Sequence, residues 1–103
     1  MALTDLIKMD GVPSRSDGQQ RFICSIKKDF TVREFVLAVV DLKKPYGEIR
    51  LVTRCNSYVC KYYGGTISEN YIPSYYFDKV IGDVAASGNF SIINWTILLK
   101  EEL

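Results

Sequence analysis

The hydrophobic and polar positions of "DFTVREFVLAVVDL" predict a helix. One helical face carries the apolar residues Val32, Phe35, Val36, Val39 and Val40. Thr31 stands where an N-cap hydroxyl is needed, and Glu34 three residues later can reach back to the cap, which is the capping-box pattern. Phe30 before the cap can pack on Phe35 as a hydrophobic staple. We therefore expect one long helix over about residues 31–42.

Alternation of apolar and polar residues predicts strands on both sides of this helix. In residues 21–28, Phe22, Cys24 and Ile26 point one way and the residues between them point the other, as in a half-buried strand. Residues 47–65 contain two alternating runs rich in β-branched and aromatic residues. Such a pair of runs predicts a hairpin.

A turn at Asn56 and Ser57 would set the two faces of this hairpin, because alternate side chains of a strand point to opposite sides. Residue 53 would then pair with residue 60. The more apolar face would carry Ile49, Leu51, Thr53, Tyr58, Cys60 and Tyr62. The opposite face would carry Arg50, Val52, Arg54, Val59, Lys61 and Tyr63.

Two further runs, residues 80–86 and 91–100, predict a second hairpin with its turn at 87–89. The last run is mostly apolar on both faces, so we expect a central strand or one covered on both sides. The order of elements predicts an α+β fold in which a mostly antiparallel sheet has four to five strands. The long helix should pack on one face of the sheet, with Phe35 against Trp95.

The remaining segments predict loops, turns and one undecided element. Residues 1–10 could form a short helix or a strand, and Pro73 could begin a short helical turn. Residues 11–20 are rich in Gly, Pro, Ser and Asp, which is the composition of a loop or flexible connection, and we expect mobility around residues 13–19. The length of 103 residues and the apolar content of 48% are those of a single domain. We assign it to residues 1–103, with 1–20 as a partly flexible N-terminal extension.

Charge and cysteine content exclude several classes of protein. Thirteen basic and twelve acidic residues leave a net charge of +1, which gives neither the field of a general nucleic-acid binder nor that of a DNA mimic. The three cysteines are an odd number, and the N-terminal residues lack the apolar run of a secretory signal. No stretch is long and apolar enough to cross a membrane. We expect an intracellular protein with reduced thiols.

The residues of common catalytic and metal sites are missing or scattered. The chain has no histidine, which removes the most frequent general base and metal ligand. Cys55 and Cys60 lack the paired spacing of a structural zinc site. We expect Cys24 and Cys60 to be buried and structural, and Cys55 to be accessible. The sequence therefore predicts no enzyme, no cofactor and no metal, with an enzyme site assembled by the fold from Lys, Tyr or carboxylate residues as a further alternative.

One predicted sheet face combines basic and aromatic side chains. Arg50, Arg54, Lys61 and Tyr63 are residue types that contact phosphate and stack on bases, which indicates a nucleic-acid interface. A solvated outer sheet face would carry the same residues, because strands exposed to water are normally charged. Both interpretations stay open from the sequence alone.

The segment "CKYYGGTISENYIPSYYF" holds five of the seven tyrosines of the chain. Tyrosine is enriched at protein interfaces because it gives a large contact area at low entropic cost. Tyr71, Tyr75 and Tyr76 beside Pro73 are therefore candidates for partner contact. The alternative is a loop tied down over the end of the sheet.

The order "DFTVREFVLAVV", "YGEIRLV", "VCKYYGG", "YIPSYYFDKVIGDVAASG" and "WTILL" resembles small uncharacterised proteins encoded by phages and mobile elements of Gram-positive bacteria. The resemblance covers residues 29–99, with matches at 31–35, 48–51 and 72–80. That group includes anti-CRISPR inhibitors, which bind a Cas nuclease or effector complex instead of catalysing a reaction. The resemblance implies the cytoplasm of a bacterial host and assigns no functional residue.

These observations predict a non-enzymatic protein-binding module, with a mobile-element inhibitor of a Cas nuclease as its narrower form. The partner-binding residues would be Arg50, Arg54, Lys61, Tyr63, Tyr71, Tyr75 and Tyr76. The alternative function is a nucleic-acid-binding accessory domain that uses the basic and aromatic face. The partner would be a host or effector protein, and the chain itself would be a monomer or a homodimer joined through an edge strand.

Overall fold

The computed structural model describes residues 2–13, 20–88 and 92–103. All strands of these residues belong to a single sheet. Its seven strands are β1 (Ile7–Pro13), β2 (Gln20–Ile26), β3 (Gly47–Val52), β4 (Ser57–Tyr63), β5 (Thr66–Asn70), β6 (Ile81–Gly88) and β7 (Ile93–Leu99). Their order across the sheet is β1-β2-β6-β7-β3-β4-β5. Neighbouring strands run antiparallel except β3 and β7, which are parallel.

The prediction of four to five strands is wrong. Two strands of the described sheet were not predicted as such, and both lie at its edges. β1 comes from the segment for which helix and strand were left open. All five residues of β5, "TISEN", are exposed, so this strand has no apolar alternation that could reveal it. The parallel neighbours β3 and β7 are separated in sequence by the whole of β4, β5 and β6.

The helix α2 (Val32–Val40) begins where its side chains predict. The backbone N–H of Glu34 donates to Thr31 Oγ1 at 3.2 Å, and the Thr31 N–H donates to Glu34 Oε1 at 3.1 Å, which confirms the capping box. The rings of Phe30 and Phe35 stack with their centroids 5.8 Å apart, which confirms the hydrophobic staple. The helix is shorter than predicted, because Asp41 and Leu42 form a turn. A second, four-residue helix, α1, spans Leu3–Leu6.

The core lies between α2 and one face of the sheet. Phe35 meets Trp95 edge to face, with ring centroids 5.4 Å apart. The buried residues of that inner face include Ile49, Leu51, Cys60, Tyr62, Val84, Trp95 and Ile97. The other face, called here the outer face, carries exposed or half-buried side chains such as Glu48, Arg50, Lys61, Tyr63, Asn94 and Thr96. The outer face of β3 and β4 is therefore open for contact.

The β3–β4 hairpin has the predicted faces but not the predicted register. Leu51 pairs with Tyr58 and Val52 with Ser57, so the loop is 53–56 and not a two-residue turn. Thr53 holds this loop, since its N–H donates to the Asn56 carbonyl oxygen at 2.8 Å. The pairing differs from the prediction by an even number of residues. The two faces therefore keep their side chains, because a strand alternates with a period of two.

The other predicted segments fall partly on described residues. β7 lies between β6 and β3, which confirms a central strand, so it offers no free edge for a second copy. Ser74–Tyr76 form a 3-10 turn after Pro73, as predicted. Ser87 and Gly88 belong to β6, and Asn89 of the predicted turn lies outside the described residues. Of the loop predicted over 11–20, residues 11–13 and 20 belong instead to β1 and β2, and residues 14–19 lie outside the described part of the chain.

Candidate functional site: a tyrosine cleft on the outer face

The structure separates the seven predicted contact residues into two groups and one isolated residue. Arg50, Lys61 and Tyr63 lie on the outer face of β3 and β4. Arg54, Tyr75 and Tyr76 lie at the end of the sheet where β4 begins, next to the C-terminal residues. Tyr71 follows β5 and is exposed. Tyr63 ends β4, so it lies at the opposite end of that strand from the second group.

A cleft of about 400 Å³ opens where β3 begins and β4 ends. This volume is within the range of about 300–1,000 Å³ that is typical of ligand sites. The residues that line the cleft come from four neighbouring strands and the chain just before β3: Tyr46, Gly47, Glu48, Lys61, Tyr62, Tyr63, Ser68 and Asn94. We call it the tyrosine cleft. It contains two of the predicted contact residues, Lys61 and Tyr63.

Strand pairing positions the side chains of the tyrosine cleft. Glu48 pairs with Lys61 across β3 and β4, and both face outward. The Glu48 N–H donates to Asn94 Oδ1 at 3.2 Å, which fixes the start of β3 against β7. Lys61 pairs with Glu69, and Tyr62 pairs with Ile67, so Ser68 is the extra residue of a β-bulge. The bulge turns Ser68 towards the cleft.

The inner wall of the cleft forms where the Tyr62 side chain passes close to the backbone of Gly47. The Tyr62 hydroxyl donates to the Ile93 carbonyl oxygen at 2.6 Å, and a Cβ at position 47 would overlap both groups. Burial raises the pKa of Tyr62. The Trp95 indole N–H lies near the same hydroxyl and offsets part of that rise, although it has no partner within hydrogen-bond geometry among the described residues. This wall is therefore fixed by a buried hydrogen bond.

The charges beside the tyrosine cleft are compensated within the protein. Arg50 Nη2 lies 3.3 Å from Glu48 Oε1. Lys61 Nζ lies 3.6 Å from Glu69 Oε2. Partly exposed pairs of this kind add only about 0–1 kcal/mol to stability. The two ion pairs therefore leave the cleft without an uncompensated charge from these four side chains.

The second group, which we call the tyrosine end, is held together by internal contacts. The Tyr58 and Tyr76 ring centroids are 5.4 Å apart, and those of Tyr75 and Tyr76 are 5.2 Å apart. Lys79 Nζ lies 4.7 Å from the centroid of the Tyr75 ring. The interaction with Tyr75, followed by the charge of Glu101, raises the pKa of Lys79. These contacts favour the interpretation of residues 71–77 as a segment tied down over the end of the sheet.

Arg54 leaves the predicted basic face because it lies in the 53–56 loop. Its Nε is 3.2 Å from Glu102 Oε2, an ion pair without hydrogen-bond geometry. Arg50 and Lys61 therefore remain as the basic residues of the predicted nucleic-acid face. Arg50, Arg54 and Lys61 each have a carboxylate oxygen within 3.6 Å.

The three cysteines are free, and their surroundings differ. Cys60 is buried, and burial raises the pKa of its thiol. Burial, followed by the charge of Asp83, raises the pKa of Cys24 to about 11. Both thiols are therefore protonated at neutral pH. The prediction of a buried thiol is confirmed for Cys60, whereas Cys24 is only partly buried. Cys55 is exposed in the 53–56 loop.

Two searches of the described residues give negative findings. In residues 2–13, 20–88 and 92–103, no group of three Cys, Asp or Glu side chains lies close enough together to hold a metal ion. None of the helices in the same part of the chain has the length and apolar character needed to cross a membrane.

Comparison with protein families, with curated proteins and with solved structures finds no match to this chain. The resemblance to proteins of phages and mobile elements therefore stays a prediction. The function has to be argued from the site itself.

Sequence reasoning missed four outward residues of the tyrosine cleft, namely Tyr46, Glu48, Ser68 and Asn94. Tyr46 and Glu48 could have been found from the sequence, because every second residue before Arg50 is expected on the same face. Ser68 depends on the bulge, and Asn94 depends on the pairing of β3 with β7. Neither feature leaves a local signal in the sequence.

Proposed function

We propose that this chain is a non-enzymatic protein-binding module whose contact surface is the tyrosine cleft and the adjoining outer face of β3 and β4. One observation carries the proposal. The basic residues Arg50 and Lys61 already have carboxylate partners, whereas the Tyr46 and Tyr63 side chains are 54% and 64% exposed. Exposed tyrosines in surroundings without net charge are typical of the central part of a protein interface.

The same observation weakens the nucleic-acid alternative. Affinity for nucleic acid comes mainly from cations that neutralise phosphates and release counterions. Arg50, Arg54 and Lys61 each lie beside a carboxylate, which offsets part of the positive potential that would attract a phosphate. A protein partner does not depend on that potential, because the ion pairs can stay at the rim of the interface.

The narrower form of the proposal is a mobile-element inhibitor that binds a Cas nuclease in the bacterial cytoplasm. Its support is the resemblance of residues 29–99 together with the three free cysteines, which fit a reducing compartment. Purified Cas nucleases can be tested directly as partners. The broader proposal does not depend on that outcome.

Affinity capture from a bacterial lysate tests the proposal with two matched variants. Tyr63→Ala removes an exposed ring from the cleft, and Tyr75→Ala removes an equally exposed ring, 64% against 67%, from the tyrosine end. We expect a specific protein to be captured by the wild type and by Tyr75→Ala. Its recovery should fall about tenfold with Tyr63→Ala, since interface tyrosines often contribute more than ~1.4 kcal/mol.

Two other outcomes contradict the proposal at different levels. Loss with Tyr75→Ala and not with Tyr63→Ala would keep protein binding and move the site to the tyrosine end. Absence of any specifically captured protein, combined with oligonucleotide binding that weakens steeply with salt, would favour the nucleic-acid alternative.

A further inference from the structure

We propose that the tyrosine cleft accepts a proline-containing extended segment of the partner, with a proline ring held between Tyr46 and Tyr63. This inference rests on the proposed function, because it names the part of the partner that the cleft would recognise. Proline-rich segments bind grooves lined by aromatic side chains, and their preformed extended conformation keeps the entropic cost of binding low.

The two tyrosines flank the last residue pair between β3 and β4. Tyr46 directly precedes Gly47, Tyr63 directly follows Tyr62, and Gly47 pairs with Tyr62. Both rings line the cleft, and both are more than half exposed. An apolar ring in the cleft can therefore contact the aromatic surface of both tyrosines.

Charge complementarity favours an uncharged occupant. Glu48 is compensated by Arg50 at 3.3 Å, and Lys61 is compensated by Glu69 at 3.6 Å. A charged ligand group would meet charges that are already partly offset, so it would gain less than it would from an unpaired charge. A proline ring carries no charge, so it enters the cleft without leaving a charge unpaired.

The hydrogen-bonding groups of the cleft also fit a proline-containing backbone. Asn94 must present Oδ1 to the Glu48 N–H, so its amide nitrogen is the part of the side chain that can serve a ligand. The Glu48 carboxylate is engaged by Arg50. The groups that line the cleft and can donate are the hydroxyls of Tyr46, Tyr63 and Ser68, the amide of Asn94 and the Lys61 ammonium, which lies beside Glu69. A proline-rich segment is the matching ligand, since it has carbonyl acceptors and few N–H donors.

Titration of the full chain with a capped polyproline peptide about ten residues long tests the inference, because a peptide of this kind is a preformed extended helix without charge. Binding is followed by backbone amide chemical shifts of isotope-labelled protein. We expect saturable shifts at Tyr46, Lys61, Tyr63 and Asn94. A glycine-serine peptide of equal length should give none.

The affinity of tyrosine variants for the polyproline peptide tests the inference quantitatively. Tyr63→Ala and Tyr46→Ala should each weaken polyproline binding at least tenfold, while Tyr75→Ala leaves it unchanged. The urea midpoint of each variant shows whether it is folded. The wild-type titration is decisive even if one variant fails to fold, because it locates the peptide directly.

Several results would overturn the inference. They include the absence of shifts at the highest peptide concentration, shifts confined to the tyrosine end, and equal affinity of the wild type and both cleft variants. Shifts in the cleft with a thymidine oligonucleotide but not with polyproline would also overturn it. If polyproline fails while Tyr63→Ala still loses the captured protein, the proposed function stands and only the proline preference is wrong.

Discussion

The hydroxyl of Tyr62 donates a 2.6 Å hydrogen bond to the backbone carbonyl oxygen of Ile93. Tyr62 belongs to β4 and Ile93 to β7, and β3 lies between these strands. The side chain crosses β3 at Gly47, where the absence of a Cβ leaves room for it. One buried contact therefore joins three strands directly behind the tyrosine cleft.

Removing the hydroxyl tests the energetic value of this contact. Tyr62→Phe should lower the free energy of unfolding by about 1–3 kcal/mol, because it leaves the buried Ile93 carbonyl oxygen without its partner. Tyr63→Phe on the exposed side of β4 is the matched control and should change it by less than about 0.5 kcal/mol. Urea titration measures both variants. Equal midpoints would mean that the bond adds nothing to stability.

The role of Gly47 can be separated from that of Tyr62 by a double-mutant cycle. Gly47→Ala should cost about 1–3 kcal/mol, because the new methyl group overlaps the Tyr62 hydroxyl and the Ile93 carbonyl oxygen. Tyr62→Phe removes the nearest obstacle, the hydroxyl, and leaves the ring carbon Cζ and the carbonyl oxygen. The double variant should therefore lose at least about 0.5 kcal/mol less than the sum of the single variants. Strict additivity would contradict the close approach.

Residues buried on the inner face and residues on the outer face should differ strongly in their contribution to the free energy of unfolding. Phe35→Ala should cost about 3–5 kcal/mol, because Phe35 is fully buried against Trp95 and Phe30. Arg50→Ala should cost less than about 1 kcal/mol, since its ion pair with Glu48 is partly exposed. Urea titration compares the two variants. Similar losses would show that the faces of the sheet are wrongly assigned.

The raised pKa of Cys24 leads us to expect a lower free energy of unfolding at alkaline pH. Its pKa is raised from 9.0 to about 11 in the folded protein, by burial and then by the charge of Asp83. Below pH 9 the thiol is protonated in both states and stability does not depend on it. Between about pH 9 and 11 the unfolded chain loses the proton first, so the free energy of unfolding falls as pH rises.

The Cys24→Ala variant isolates this contribution. Its free energy of unfolding should decrease less steeply between about pH 9 and 11 than that of the wild type, as followed by urea titration at several pH values. The slope that remains comes from other groups with a raised pKa, such as Cys60 and Tyr62. Identical slopes in the variant and the wild type would contradict the assignment.

The features that could be predicted from the sequence are those whose causes are local. The start of α2 was predicted because Thr31 and Glu34 cap it and Phe30 packs on Phe35 within a few residues. The faces of the β3–β4 hairpin were predicted although the register was wrong, because an even shift leaves side-chain directions unchanged. Capping residues were sufficient for the first prediction, and the alternation of residues was sufficient for the second.

The features that were missed depend on distant parts of the chain. Every residue of β5, an edge strand, is exposed. β3 and β7 are distant in sequence and become neighbours only when the sheet assembles. The same limit applies to the site. Lys61 and Tyr63 were placed on the correct face by alternation, but Asn94 reaches the cleft through tertiary pairing. Arg54 left the predicted face because its loop is longer than the turn that was expected.

Site-specific photo-crosslinking in bacterial cells tests the central claim most directly, namely that the tyrosine cleft is the surface that contacts a partner protein. A photoreactive phenylalanine derivative is placed at position 63 in one variant and at position 75 in another, two sites of nearly equal exposure at opposite ends of the sheet. We predict a discrete protein adduct from position 63 and none from position 75. An adduct from position 75 alone, or no protein adduct from either position, would contradict the account.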